Sequence, residues 1–298
     1  MKLIKPSFEI WEQPAGLEGV YKQIEKVGRV CYKSEDKITE DSAKPFVDRM
    51  IKSGHGAMLE HGTVYLKVIN KGLSLCNYEK DHIEDKYISN PYSKVVFGKY
   101  PKYNSYEEKL KATQEVYITT NYRVLVENGW LDDLQYICEP TEYHERRVTV
   151  HFVCDRGVSH EFVRHRVMSF AQESTRYCNY SKDKFGNELT FIKPCWLNLP
   201  TDYAVYSGDN DSDYFIQALE DAENWYLSLL EEGWTPQQAR AVLPNSLKTE
   251  LVVTGFTSDW NHFFDLRARG TTGAPHPQAK ELAEPLMKEF IAREYINN

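Results

Sequence analysis

The chain has 298 residues, with 36 Lys and Arg against 44 Asp and Glu, and its formal net charge of −8 argues against a general nucleic-acid binder, whose basic face shows in the total. Hydrophobic residues at 41% and charged residues at 27% exclude global disorder and fit one or two ordinary globular domains. Its longest apolar runs, such as Leu251-Val252-Val253, fall far short of the ~20 residues of a membrane span. The first residues lack an apolar core of signal-peptide length, so the expected compartment is the cytoplasm.

In chain order, 15–33 and 41–53 read as helices, the second entered through the capping pair Asp41-Ser42 and stopped at Gly54. Residues 63–70, rich in β-branched and aromatic types, read as a strand. The Lys-, Tyr-, Asn- and Ser-rich stretch 71–104 reads as an irregular excursion, followed by a helix over about 105–129 that ends near Gly129. Residues 148–154 form another strand, after which Gly157-Val158-Ser159 turns the chain into a short helix with Ser159 as its N-cap. A loop at 196–213 precedes a helix near 212–231, and Thr235-Pro236 starts another that Pro244 stops. A strand over 247–256 and helices over 258–267 and 277–293 complete the chain. Strands and helices with few βαβ units predict an α+β fold: an antiparallel or mixed twisted sheet flanked by helices.

The six cysteines, Cys31, Cys76, Cys138, Cys154, Cys178 and Cys195, are dispersed without a CxxC pair, and in a reducing compartment they read as small core residues. A zinc site wants close Cys or His pairs, and His55 and His61 do not share a helical face, so no metal is expected.

Chemistry concentrates in four segments. Residues 164–176 hold Arg164, Arg166 and Arg176 with His165, Ser169 and Ser174. All the cations there are arginines, which suit bidentate recognition of phosphate. Arg240 sits between apolar neighbours and needs an anionic partner. Trp260-Asn261-His262-Phe263-Phe264-Asp265-Leu266-Arg267 offers a stacking surface that ends in an arginine, though a cation at a helix C-terminus also simply complements the dipole. A His-rich loop spans His55 to His61. Together these suggest a pocket for a phosphorylated, aromatic small molecule.

At these residues the chain resembles the flavin-dependent thymidylate synthases. Arg164-His165-Arg166, seven further residues and Ser174 resemble the family's signature. The loop at 55–61, Ala239-Arg240 with Leu243-Pro244, the segment 260–267 and Gly273-Ala274-Pro275-His276-Pro277-Gln278 follow in the family's order. The resemblance covers roughly 1–70 and 146–290, and implies a single domain over 1–298 with an enlargement at about 71–145. It implies methylation of dUMP to dTMP with 5,10-methylenetetrahydrofolate as carbon donor, NADPH as reductant and FAD between them, in a homotetramer whose sites are shared between subunits. By the same resemblance, Arg164, His165, Arg166 and Gln172 hold FAD, as do Ala57, Phe256, Thr257, Ser258 and His262, with His55 lining the pocket. Glu161, Phe162, Val163 and Arg164, then Gln172, Glu173, Ser174, Thr175 and Arg176, fall on dUMP-binding segments. Arg240 matches a dUMP-binding arginine and Arg267 the one that stabilises the ionised N3 of uracil.

Several positions depart from the family pattern. Phe256 and His262 stand where some members use Asn, which turns those FAD contacts into backbone or stacking contacts. Ala171-Gln172 stand where many members carry Asn-Glu, so the carboxylate role is either absent or moves to Glu173. Glu161 replaces a usual Gln, and a carboxylate beside an anionic nucleotide calls for a pairing arginine. Two other readings compete: a thymidylate synthase with a cysteine nucleophile, for which Pro194-Cys195-Trp196 lacks the expected histidine, and a non-enzymatic nucleotide- or RNA-binding module built on the Arg cluster.

Overall fold

The computed structural model describes residues 1–71, 83–99, 102, 104–105, 107–108, 112–182, 186–198 and 210–297. Its centre is a four-stranded antiparallel sheet in the order β2-β6-β9-β7. Those strands are Ser7–Trp11 (β2), Arg147–Asp155 (β6), Ser169–Gln172 (β7) and Lys248–Phe256 (β9). In β6 and β9 successive side chains point to opposite faces, and both faces are covered. Val148, Val150, Phe152, Leu251 and Val253 pack beneath the helices Arg156–Phe162, Thr257–Phe264 and Pro277–Ala292. On the other face Val252 and Ala171 meet Trp11 and the Val27–Cys31 end of the helix Gly16–Tyr32. A parallel pair, β1 (Lys2–Ile4) with β8 (Thr190–Ile192), lies under the helix Asn210–Glu231 in its own apolar cluster. The architecture is therefore α+β, with antiparallel sheets flanked by helices.

The middle of the chain differs from expectation. The helix expected over 105–129 is a nine-residue strand, β5 (Thr113–Asn121), running into the helix Tyr122–Asn128. Val116, Ile118, Thr119 and Thr120 are β-branched and favour the pleated surface over a helix. The helix's end was read correctly, because Gly129 takes φ 70° as its left-handed cap. Within 71–104, expected to be irregular, the described residues include a helix, Ile83–Ile88, and a strand, β4 (Lys94–Phe97). Strand β5 pairs with both β4 and β3 (Thr63–Lys71). Residues 72–82, Cys76 among them, and most of the expected 196–213 loop lie outside the described residues. Val116, Ile118 and Leu125 share one core with Val64 and Leu66, so this region builds a second sheet.

The N-cap of the helix after β6 is also shifted. Asp155, not Ser159, caps it by accepting from the Val158 N–H at 2.7 Å. Ser159 lies inside the helix and its hydroxyl donates to the Arg156 carbonyl.

Candidate functional site

The helix Thr257–Phe264 does not stop at Arg267. It widens into a π-type turn, Asp265–Arg269, closed by Gly270 at φ 69°, a local departure that frequently marks functional sites. A Cβ at Gly270 would lie 3.0 Å from the Gly273 carbonyl oxygen, so the close fold-back there requires glycine. This turn brings Arg267 over the end of the helix Arg156–Phe162. Its Nη1 donates to Glu161 Oε2 at 2.5 Å, its Nη2 to the Glu161 carbonyl at 2.8 Å and its Nε to His165 Nε2 at 3.3 Å. The arginine that the Glu161 carboxylate calls for is Arg267.

His165 is buried, 4.9 Å from the Phe263 ring and 5.9 Å from that of His262. Burial, reinforced by Arg267 and His262, pulls its pKa down to about 4, so at neutral pH the imidazole is uncharged. Since Nε2 accepts from Arg267, the proton belongs on Nδ1. Phe162 is buried beside Phe263, and His262 is exposed at the edge of the cluster.

A second group forms where β9 begins. Arg240 Nη1 donates to the Thr175 hydroxyl at 3.0 Å. The two residues line an open cavity of ≈ 490 Å³ together with Arg156, Gln237 and Asn245. The backbone of Arg156 is fixed there by bonds from its N–H to the carbonyls of Asn245 and Leu247.

The remaining expected positions are dispersed. Arg164, Arg166 and Arg176 are exposed, and neither the Arg164 nor the Arg166 guanidinium has a hydrogen-bond or ion-pair partner among the described residues. Val163, Val167 and Tyr177, each next to one of these arginines in sequence, are also exposed, at 37%, 61% and 62%. Ser174 is tied by its N–H to the Cys31 carbonyl. The Gln172 amide donates to Ser159 and Thr249 on the helical face of the sheet. Glu173 is buried on the other face, where it accepts from Lys248 at 2.9 Å and Tyr180 at 3.0 Å. Its carboxylate is therefore occupied inside the protein. Phe256 is buried at the far end of β9, while Thr257 and Ser258 line a separate open cleft of ≈ 520 Å³. His55 and Ala57 are exposed at the short helix Gly56–Leu59. With about 3.3 Å per residue, the two ends of β9 lie roughly 26 Å apart.

Sequence reasoning missed two residues. Arg156 follows a strand in an unremarkable Asp-Arg-Gly turn. Arg147 packs over the Phe256 ring, donates to the Glu60 carbonyl at 2.9 Å, and is pulled down to about 10 by burial. Both arginines stand at strand ends, a position that periodicity does not flag.

The thiols of Cys31, Cys138, Cys154 and Cys195 stay protonated at neutral pH. Burial pushes Cys31 up to about 11 and Cys154 higher still, and the exposed Cys195 is also raised, by partial desolvation and Glu281. Among the described residues no group of three His, Cys, Asp or Glu is placed to hold a metal ion. No helix among them is long and apolar enough to cross a membrane.

Residues 139–293 match the family model described as thymidylate synthase complementing protein. The flavin-dependent thymidylate synthase of Geobacter sulfurreducens is 30% identical over 112 residues, covering 38% of this chain and 43% of the relative. That of Pyrococcus abyssi is 28% identical over 143 residues, covering 48% and 53%. The chain thus spans about half the length of the curated relatives it matches. A UMP/dUMP methylase from Streptomyces cacaoi, solved with 5-Br dUMP, aligns over 98% of this chain and 93% of its own, at 18% identity and a TM-score of 0.42.

Proposed function

The chain belongs to the thymidylate synthase complementing protein family, and from that premise we propose that it is a flavin-dependent thymidylate synthase. It is a methyltransferase that converts dUMP to dTMP, with 5,10-methylenetetrahydrofolate as carbon donor and NADPH as reductant. The observation that carries this reading is the Glu161–His165–Arg267 cluster inside the family-matched segment, a guanidinium held rigid beside a neutral imidazole and an aromatic wall. Arg267 stabilises the negative charge of the uracil ring as N3 loses its proton, which makes C5 nucleophilic. His165 and Glu161 hold the plane of that guanidinium. The Arg240–Thr175 cavity takes the nucleotide's phosphate, since its lining has arginines and neutral donors and no carboxylate. Burial and nearby acidic groups raise the pKa of Cys31, Cys138, Cys154 and Cys195 among the described residues, which disfavours a cysteine-nucleophile route.

FAD, when bound, relays the reducing equivalents from NADPH. The residues present fit it. Arg164 and Arg166 carry exposed guanidinium groups without acidic partners among the described residues, suited to a pyrophosphate, and Thr257, Ser258 and His262 lie at exposed or cleft-lining positions. Val163 and Val167, exposed on either side of those arginines, support a surface covered by another copy of the chain. We therefore read the assembly as a homotetramer with sites shared between subunits. Residues 1–298 are read as one domain in which about 71–145 enlarges the family core. The free thiols support a reducing, cytoplasmic compartment.

The test is flavin binding. The purified protein should bind FAD, and the flavin should bleach with NADPH in the absence of oxygen. Arg166→Ala should weaken FAD binding about ten- to hundredfold, the worth of one charge-assisted phosphate contact. Unchanged FAD affinity in that variant would overturn the assignment.

A further inference from the structure

The cavity at the start of β9 contains a cation that neither the sequence reading nor the family resemblance assigns. Arg156 lines it with Arg240, Thr175, Gln237 and Asn245. The Nη1 of Arg156 is withdrawn from solvent and has no hydrogen-bond partner. No ion pair holds its guanidinium among the described residues, although the chain carries an excess of acidic groups. A buried donor without an acceptor is expensive, and a guanidinium in a cavity that contains no carboxylate is a cation without a counter-charge. The backbone does not account for the side chain's position, because the N–H of Arg156 already bonds to Asn245 and Leu247. Arg240, the other cation of the cavity, spends one N–H on Thr175 and keeps the rest of its fork open.

We propose that Arg156 is a second phosphate-binding arginine of the nucleotide site, facing the same phosphate as Arg240 and setting the preference for dUMP over the unphosphorylated nucleoside. The inference rests on the reading of this cavity as the place of the nucleotide's phosphate. A nucleoside monophosphate fits better than a pyrophosphate cofactor. The cavity adjoins Thr175, whereas the positions assigned to FAD at Phe256 to Ser258 lie at the opposite end of β9. A dianionic phosphate can accept from the Arg240 fork, from the Arg156 guanidinium and from the Thr175 hydroxyl at once.

The test measures binding of dUMP, deoxyuridine and FAD to the parent and to Arg156→Ala, Arg156→Gln and Arg156→Lys, with the melting temperature of each. Arg156→Ala should lose about ten- to hundredfold in dUMP affinity, while deoxyuridine and FAD stay within about threefold. The KM for dUMP should rise with kcat at saturation nearly unchanged, and Arg156→Lys should recover part of the loss. If Arg156→Ala does not fold, the dUMP-to-deoxyuridine ratio in the Gln and Lys variants decides the matter. Unchanged dUMP affinity overturns the proposal, and so does an equal loss for dUMP and deoxyuridine, or a loss confined to FAD. A parent protein that binds deoxyuridine as tightly as dUMP overturns instead the reading of the cavity on which the proposal rests.

Discussion

Arg267 satisfies three acceptors with one planar group, two on Glu161 and one on His165, a geometry that a point charge cannot reproduce. Arg267→Ala should lower dTMP formation about a hundred- to a thousandfold, the typical worth of one preorganised stabiliser of developing charge. Arg267→Lys should rescue poorly. Because Glu161 is partly exposed, the lost ion pair should lower stability by only about 1 kcal/mol. A variant that melts like the parent and turns over within about threefold of it would reduce Arg267 to a helix-end cation. The thiols give the complementary test: Cys195→Ser should keep its flavin and its dTMP formation, and loss of product in a folded, flavin-bound variant would revive the cysteine mechanism. At this scale the sequence was legible where chemistry forced a pairing, as with Glu161 and its arginine. It assigned Glu173 to the nucleotide and gave no sign of its burial against Lys248, which depends on which face of the sheet its strand presents.

Strand β9 is the element on which the arrangement depends. On one face it carries Lys248 and Glu250, between Glu173, His151 and Lys33. Burial opposes the Lys248 charge, but Glu173 and Glu250 outweigh it and raise its pKa. Burial likewise opposes ionisation of Glu250, yet His151, Lys248 and Lys33 hold its carboxyl far below the usual range. Lys248→Met strands the nearly buried Glu173 and should destabilise the fold by about 3–5 kcal/mol in chemical denaturation. A loss below 1 kcal/mol would mean that the network is solvated. The sequence disclosed β9 and β6 through their apolar β-branched runs and the helices after them in outline, although the N-cap of the helix after β6 is Asp155 and not Ser159. It did not disclose β7, only four residues long, or β5, which merges into a helix without a Gly or Pro between them.

Over the whole molecule, the positions that the family resemblance assigns to one site are distributed between both ends of β9 and an exposed arginine-rich surface, and the proposed sharing of sites between subunits would bring them together. Val167→Asp should therefore weaken both assembly, read as solution mass, and FAD binding. A variant that assembles like the parent would argue against that surface as an interface. The acid dependence of stability follows from three buried imidazoles, His61 held at about 3, His165 at about 4 and His144 also below its ordinary value, chiefly by burial. As pH falls below the ordinary value of about 6.5, the unfolded chain takes up protons that the folded one refuses, so stability is full above that pH and declines toward about 4. Asp155 and Asp259, raised by burial, oppose this only nearer the carboxylate range. The melting temperature should drop between pH 7 and pH 5, with a shallower slope in His165→Gln, and a flat profile in the parent would contradict the neutral imidazoles. The most direct measurement is product formation: dUMP, methylenetetrahydrofolate and NADPH are added without oxygen to the FAD-loaded protein. dTMP should accumulate over many turnovers in the parent and in Cys195→Ser but not in Arg267→Ala. Flavin that binds and bleaches while no dTMP forms from dUMP would contradict the account.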